Sequence, residues 1–111
     1  MKGMARVLVL WTRPYHLSAE EAQTWAQEQA SRFRRLDGVE RAELTRLQSA
    51  SARHARDWDW MLELHLTPGA DGAAFMDAAP YAEWLADLRL LGLRPTVLLA
   101  DGAIPVPAEP R

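Results

Sequence analysis

The stretch Asp57–Leu66, Asp-Trp-Asp-Trp-Met-Leu-Glu-Leu-His-Leu, decides the fold of this chain. Every second residue in it is large and apolar, and in an extended strand these residues share one face. They are Trp58, Trp60, Leu62, Leu64 and Leu66. The other face carries Asp59, Met61, Glu63 and His65. Alternation of this length predicts a strand and not a helix, and the apolar face requires a cover that neighbouring helices can supply.

A strand and a helix precede this stretch. Ala5–Thr12 is apolar on both faces, which is typical of a central strand, and the proline that follows ends it because proline donates no ladder hydrogen bond. Ser18 and Glu21 have the spacing of a capping box. They predict a helix that begins at this point and runs to about Leu36.

A second strand, a second helical region and a fourth strand complete the domain. Val39–Gln48 is rich in charge, which favours an edge strand, and a small polar loop at Ser49–Arg56 joins it to the alternating strand. Asp71–Leu91 has helical spacing, and Pro80 within it predicts a kink or two short helices. Arg94–Ala100 is the predicted fourth strand.

The resulting β-α-β-β-α-β order predicts an α+β fold. The expected architecture is a ferredoxin-like sandwich, with two helices on one face of a four-stranded antiparallel sheet and the first and third strands in its centre. Residues 1–104 form the predicted single domain, and residues 105–111 form a proline-rich tail. Because the other sheet face is also apolar, we expect a second copy to cover it in a homodimer.

Composition excludes several classes of function. The chain has 111 residues, a net charge of −2 and no cysteine, which excludes disulfides, thiolate metal sites and cysteine nucleophiles. This charge gives no electrostatic footprint for nucleic acid or anionic lipid. The apolar run Val7–Trp11 is too short for a signal sequence or a membrane span, so we expect a cytoplasmic protein. His16, His54 and His65 have no metal-ligand spacing, so we expect no metal site. We also expect no cofactor, with haem held by His16 or His65 as the minor alternative.

The chain resembles the dimeric α/β-barrel superfamily in its element order, in the segment Trp58–Leu64 and in the kink at Ala79-Pro80-Tyr81. That superfamily includes cofactor-free monooxygenases, polyketide cyclases, haem-degrading enzymes, chlorite dismutases and stress-responsive proteins. The resemblance implies a pocket between helices and sheet in each subunit. Cyclase-like members often have a His-Pro-x-His pattern at the kink, whereas this chain has alanine at 79 and 82. The acid–base chemistry of that pattern is therefore not implied here.

Aromatic residues are the candidate ligand-binding residues. Each aromatic residue has two possible roles, either as part of the core or as a wall of an aromatic pocket beneath the helices. The candidates are Trp25, Trp58, Trp60, Tyr81 and Trp84. Trp11 fits either side of the sheet. His54, in the polar loop, is a weak catalytic candidate, either a general base at the pocket mouth or an ordinary solvated histidine.

Two functions fit this sequence. The first is a homodimer that binds a small aromatic or polyketide-like molecule of bacterial secondary metabolism, with cofactor-free oxygenase, cyclase or dehydratase chemistry. The second is a non-catalytic dimeric binding or accessory protein. RNA-recognition domains share the element order, but their aromatic consensus is absent, and acidic residues occupy the third strand instead.

Overall fold

The structure, a computed structural model, describes residues 5–47, 58–100 and 104–108. Its elements follow the predicted order, with the second helical region divided in two. They are β1 (Arg6–Trp11), α1 (Ala19–Arg34), β2 (Val39–Arg46), β3 (Trp60–Leu66), α2 (Gly72–Asp77), α3 (Ala79–Leu90) and β4 (Thr96–Ala100). The predicted loop Ser49–Arg56 lies outside the described residues.

The four strands form one antiparallel sheet in the order β2-β3-β1-β4. The two most apolar strands are therefore central, and the charged strand β2 lies at an edge, as predicted. In the register, Val9 of β1 pairs with Leu62 of β3 on one side and with Val97 of β4 on the other. This row of apolar side chains runs across the middle of the sheet and faces the helices.

Helix α1 begins as the capping box predicts. The Ser18 hydroxyl accepts a hydrogen bond from the Glu21 amide, and the Glu21 carboxylate accepts one from the Ser18 amide. These reciprocal bonds satisfy two amides that a helix start leaves without intrahelical partners. Downstream, Gly38 adopts a φ of 89° in the turn to β2, a conformation that favours glycine.

Pro80 separates two helices instead of kinking one. Ala78 is extended, with φ −70° and ψ 147°, and Pro80 lies in the first turn of α3. Proline fits there because the amide that it lacks would have no helical partner. The predicted alternative of two short helices is thus the one observed.

The core lies between the sheet and the helices. The helix-facing side chains of β1 and β3 are at most 7% exposed, and they pack with α1 and α3. The sheet contributes Val7, Val9, Trp11, Trp60, Leu62, Leu64 and Leu66. The helices contribute Ala22, Ala26, Phe33, Tyr81, Trp84 and Leu88.

Trp58 departs from the predicted alternation. The sequence pattern places it on the helix side with Trp60, but β3 begins only at Trp60, and Asp59 forms a bend. The Trp58 indole instead donates a hydrogen bond from Nε1 to Oγ1 of Thr96, at 3.3 Å. Thr96 pairs with Leu10, whose side chain points away from the helices, so Trp58 lies on the opposite side of the sheet.

The sheet surface away from the helices is called the open face here. It comprises Arg6, Leu8, Leu10, Arg41, Glu43, Met61, Glu63, His65, Thr96 and Leu98. Its middle is apolar and its end near His65 is charged. No described helix covers this face, and no helix in the described ranges is long and apolar enough to cross a bilayer. Residues 104–108, the described part of the tail, are exposed and have no regular structure.

Candidate functional site

An aromatic cluster fills the space beneath the helices. Trp11 makes edge-to-face contacts with Trp25 and Trp84, at ring-centroid distances of 5.8 and 6.4 Å. Trp84 in turn lies 4.5 Å from Phe33 and 6.1 Å from Tyr81. Such contacts stabilise a core beyond the area that they bury. Three of the candidate residues, Trp25, Tyr81 and Trp84, are thus brought together, with Trp11 between Trp25 and Trp84.

Polar atoms within this cluster are unequally satisfied. Trp84 Nε1 donates to Gln29 Oε1 at 2.8 Å, a bond between α3 and α1. In the described part of the chain, Tyr81 Oη and Trp11 Nε1 are buried without a hydrogen-bond partner. Burial raises the pKa of the Tyr81 hydroxyl to about 12, because the anionic form loses its hydration. Tyr81 is therefore a neutral phenol at physiological pH.

Trp60 lies beside this cluster and borders an open cleft. The cleft, called the α1 cleft here, has a volume of about 510 Å³ and lies between the start of α1 and the ends of β2 and β3. It is lined by Arg13, Tyr15, Ala19, Ala22, Arg46, Leu47, Asp59 and Trp60. Its volume is within the range of small-molecule sites. Alanine at 19 and 22 leaves room here, because a methyl side chain extends little from the helix.

A second cleft adjoins the first along the edge of the sheet. It has a volume of about 550 Å³ and shares Arg46 and Trp60 with the α1 cleft. Its remaining lining residues are Gln23, Gln27, Ala30, Ser31, Ala42 and Leu44. Amide and hydroxyl side chains thus extend the site on the α1 side, so the combined surface offers one indole, hydrogen-bonding groups and cationic groups.

Backbone bonds fix the inner end of the α1 cleft. The Asp59 carboxylate accepts a hydrogen bond from the Arg13 amide at 2.6 Å. The Asp59 amide donates to the Trp11 carbonyl, and the Asp59 carbonyl accepts from the Leu47 amide. One residue therefore ties together the ends of β1, β2 and β3. This places a carboxylate next to Trp60 at the base of the cleft.

The remaining sequence candidates have the following positions. Trp25 is half-buried on α1, and Trp58 lies on the open face. His54 lies outside the described residues. The site residues that the sequence did not indicate are Arg13, Ala19, Arg46 and Asp59. They meet through strand register and turn geometry, for which a single sequence carries no periodic signal.

The open face holds one group with metal-ligand chemistry, Glu43, Glu63 and His65, whose ligand atoms lie within 4.8 Å of one another. Two arginines already neutralise the two carboxylates, Arg41 at 2.9 Å from Glu43 and Arg6 at 3.5 Å from Glu63. His65 Nδ1 lies 3.5 Å from the Arg41 guanidinium. Nε2 faces Glu63 Oε2 at 3.1 Å. Because both carboxylates are already paired with arginines, the group is better suited to an ion-pair network than to a cation.

Comparison with known proteins identifies the fold. No protein-family model and no curated protein matches the chain. A Dabb-family protein with a ferredoxin-like fold from Mesorhizobium loti is similar in structure, with a TM-score of 0.62 and 20% identity over 95% of this chain and 99% of the other. A putative antibiotic biosynthesis monooxygenase from Deinococcus radiodurans has a TM-score of 0.60 and 11% identity, over 96% and 99%.

A dimeric ferredoxin-like protein of unknown function from Thermobifida fusca is similar at a TM-score of 0.59 and 12% identity, over 89% of this chain and 92% of the other. These likenesses span nearly the whole chain. They confirm the predicted ferredoxin-like α+β fold. At these identities the likeness concerns the fold alone.

Proposed function

We propose that this protein is a homodimer that binds a small aromatic molecule in the α1 cleft of each subunit. One observation carries the proposal, which is that Trp60 borders two adjoining clefts while its neighbours on the helix side are packed against one another. Trp60 is 7% exposed, and this exposed part gives a ring an apolar contact at the junction of the two clefts. The surrounding amide, hydroxyl and charged groups can then orient the polar substituents of the ring.

The role given for one similar structure and the dimeric state of another support this proposal. The Deinococcus radiodurans protein is a putative monooxygenase of antibiotic biosynthesis, a role that requires an organic substrate. The Thermobifida fusca protein is described as dimeric. Both have the fold of this chain, so a pocket beside the sheet and a two-fold assembly are compatible with it.

The open face supports the homodimer. Leu98 is 50% exposed at its edge, and the half-buried Leu8 and Met61 of the central strands belong to the same surface, whereas Leu10 is only 8% exposed. An apolar surface of this kind on a small domain marks an interaction site. The charges at its end are two arginines and two glutamates, which balance, so a second copy can stack on this face without net repulsion.

Ligand binding can be tested by blocking the cleft. Ala19 is exposed at the start of α1, so the substitution Ala19→Phe adds a ring to the α1 cleft without disturbing the core. Ala82→Phe is the matched control, because Ala82 is exposed on α3 and lines neither cleft. Titration calorimetry with a panel of naphthols, anthraquinones and polyphenols should find binding to the wild type and to Ala82→Phe, and weakened binding to Ala19→Phe. Equal binding to all three proteins would contradict the proposal, as would no binding by any compound.

Catalysis in the same cleft is the second candidate function. The observation that favours it is the Asp59 carboxylate beside Trp60, where it could accept a proton from a bound phenol or enol. Cofactor-free oxygenase, cyclase or dehydratase activity should then be lost in Asp59→Asn, which retains an oxygen to accept from the Arg13 amide. His54 stays a catalytic candidate and is tested by His54→Ala. Binding without turnover of any panel compound would instead support a non-catalytic binding or accessory role.

A further inference from the structure

We infer that the α1 cleft is selective for organic anions, an aromatic ring with a carboxylate or an ionised hydroxyl. The inference rests on the proposed function and assigns the chemical class of its ligand. The inferred selectivity depends on three groups, which are the indole of Trp60 and the guanidinium groups of Arg13 and Arg46. Arg46 and Trp60 come from neighbouring strands, and Arg13 comes from the segment that follows β1.

Arg46 is placed beside Trp60 by the sheet itself. The two residues are register partners in the antiparallel pair β2–β3. Side chains of directly opposed residues share a face, with Cβ atoms about 5 Å apart. Because Trp60 faces the helices, the Arg46 side chain extends from the same face, next to the indole. A ring in the cleft that contacts the small exposed part of Trp60, 7% of the residue, therefore brings a substituent within reach of this guanidinium.

Arg13 is placed at the same end of the sheet by Asp59. The hydrogen bond from the Arg13 amide to the Asp59 carboxylate fixes the backbone at this position. Arg13 and Arg46 both line the cleft. Two cations thus flank one opening, and a carboxylate fits between guanidinium groups because each can donate two parallel hydrogen bonds.

Three described arginines form ion pairs with acidic side chains, and Arg13 and Arg46 are not among them. Arg6, Arg32 and Arg41 are each paired with a glutamate or an aspartate. Over the described residues, Arg13 and Arg46 form no such pair. The cleft therefore carries two cationic side chains and one acidic one, Asp59, whose carboxylate is engaged with the Arg13 amide. Its charge balance favours a bound anion.

The test compares two ligands of nearly equal shape, 2-naphthoate and its neutral isostere 2-naphthamide, by titration calorimetry with the full-length protein. The wild type should bind 2-naphthoate about tenfold more tightly, since hydrogen bonds to a charged partner are stronger than neutral ones. Raising the salt concentration should weaken the binding of 2-naphthoate and leave that of 2-naphthamide unchanged.

Arg13→Gln and Arg46→Gln should each remove most of this preference without changing the affinity for 2-naphthamide. Arg34→Gln is the matched control, because Arg34 is exposed at the end of α1 and lines neither cleft. Its preference should equal that of the wild type.

The possible failures are distinguishable. Equal affinity for both ligands, with both lost in Ala19→Phe, would overturn the anion selectivity and leave the proposed binding function intact. A preference for 2-naphthoate that survives both arginine substitutions would place the anion elsewhere and overturn the inference. If neither ligand binds, the selectivity is wrong for this ring class, and the wider panel described above then decides the binding function separately.

Discussion

The indole of Trp58 and the hydroxyl of Thr96 are joined by a hydrogen bond of 3.3 Å on the open face of the sheet. Strand β1 lies between β3 and β4, so the indole reaches across the end of β1 to make this bond. Trp60, only two residues further on, faces the helices and borders the α1 cleft. The two tryptophans of one motif thus serve opposite surfaces, Trp58 at the rim of the open face and Trp60 at the candidate ligand site.

The open face should be the dimer interface. Light scattering on a sizing column is expected to give a mass of about twice the 12.5 kDa chain mass. Leu98→Arg should give the single-chain mass, because it places a charge against an apolar partner surface. Leu90→Arg is the control, since Leu90 is 86% exposed on α3, and its mass should equal that of the wild type. A dimer that persists in Leu98→Arg would place the interface on another surface.

The buried Tyr81 hydroxyl should lower the free energy of unfolding at neutral pH. It is buried without a partner in the described structure, so Tyr81→Phe should raise the free energy of unfolding by about 1 kcal/mol. Urea denaturation measures this change. Tyr15→Phe, at a residue 93% exposed, should change nothing. A substantial loss of stability in Tyr81→Phe would show that the hydroxyl has a hydrogen-bond partner, such as a buried water.

The same residue should produce an alkaline transition. The pKa of Tyr81 is about 12 in the folded protein, above its ordinary value of 10.0, so the unfolded chain ionises first as pH rises. Ionisation therefore leaves the free energy of unfolding unchanged below pH 10 and lowers it as the pH rises toward 12. The loss is on the order of 2 kcal/mol. Denaturation at several pH values should show a smaller alkaline slope for Tyr81→Phe than for the wild type, and equal slopes would contradict the assignment.

The capping box of α1 should stabilise the protein in a pH-dependent way. Ser18→Ala should lower the free energy of unfolding by about 1 kcal/mol. Hydrogen bonds from the Ser18 amide and hydroxyl lower the pKa of Glu21 below its ordinary value of 4.5. The contribution of Glu21 is therefore present above that value and lost as the pH falls through the lowered pKa. Acid denaturation of Glu21→Gln should lack this loss, whereas Glu20→Gln, the control in the same turn, should retain it.

The group Glu43, Glu63 and His65 should not hold zinc. Its carboxylates are paired with arginines, so added Zn²⁺ should leave the melting temperature unchanged. Thermal denaturation with and without Zn²⁺ measures this. A rise in melting temperature that is absent in His65→Ala but present in His16→Ala, where the histidine is exposed, would show that the metal displaces the arginines.

Local patterns predicted much of the fold because their causes are local. The capping box at Ser18 and Glu21 fixed the start of α1, and the position of Pro80 predicted the break before α3. Alternation predicted β3 from Trp60 onward. It failed at Trp58 because a strand begins where its ladder begins, and the bend at Asp59 reverses the side on which the preceding residue lies.

The candidate site was predictable only in part. The tryptophans predicted an aromatic-walled pocket beneath the helices, but the aromatic side chains fill that space, and Trp60 is the predicted pocket residue that borders the α1 cleft. The cationic character of that cleft could not be predicted from the sequence, because Arg13 and Arg46 resemble ordinary surface arginines there. They become neighbours only when β2 and β3 pair in one register and Asp59 joins the strand ends.

By itself, the sequence determined the elements of this protein, their order and which strands are central. Those properties depend on hydrophobic period, caps and turns, each of which acts within a few residues. Only the tertiary structure decided that Trp58 and Trp60 lie on opposite faces, and that Arg13, Arg46 and Asp59 surround one cleft. The physical reason is that cross-strand register and the packing of α1 on the sheet join residues far apart in sequence, and no local periodicity encodes such pairs.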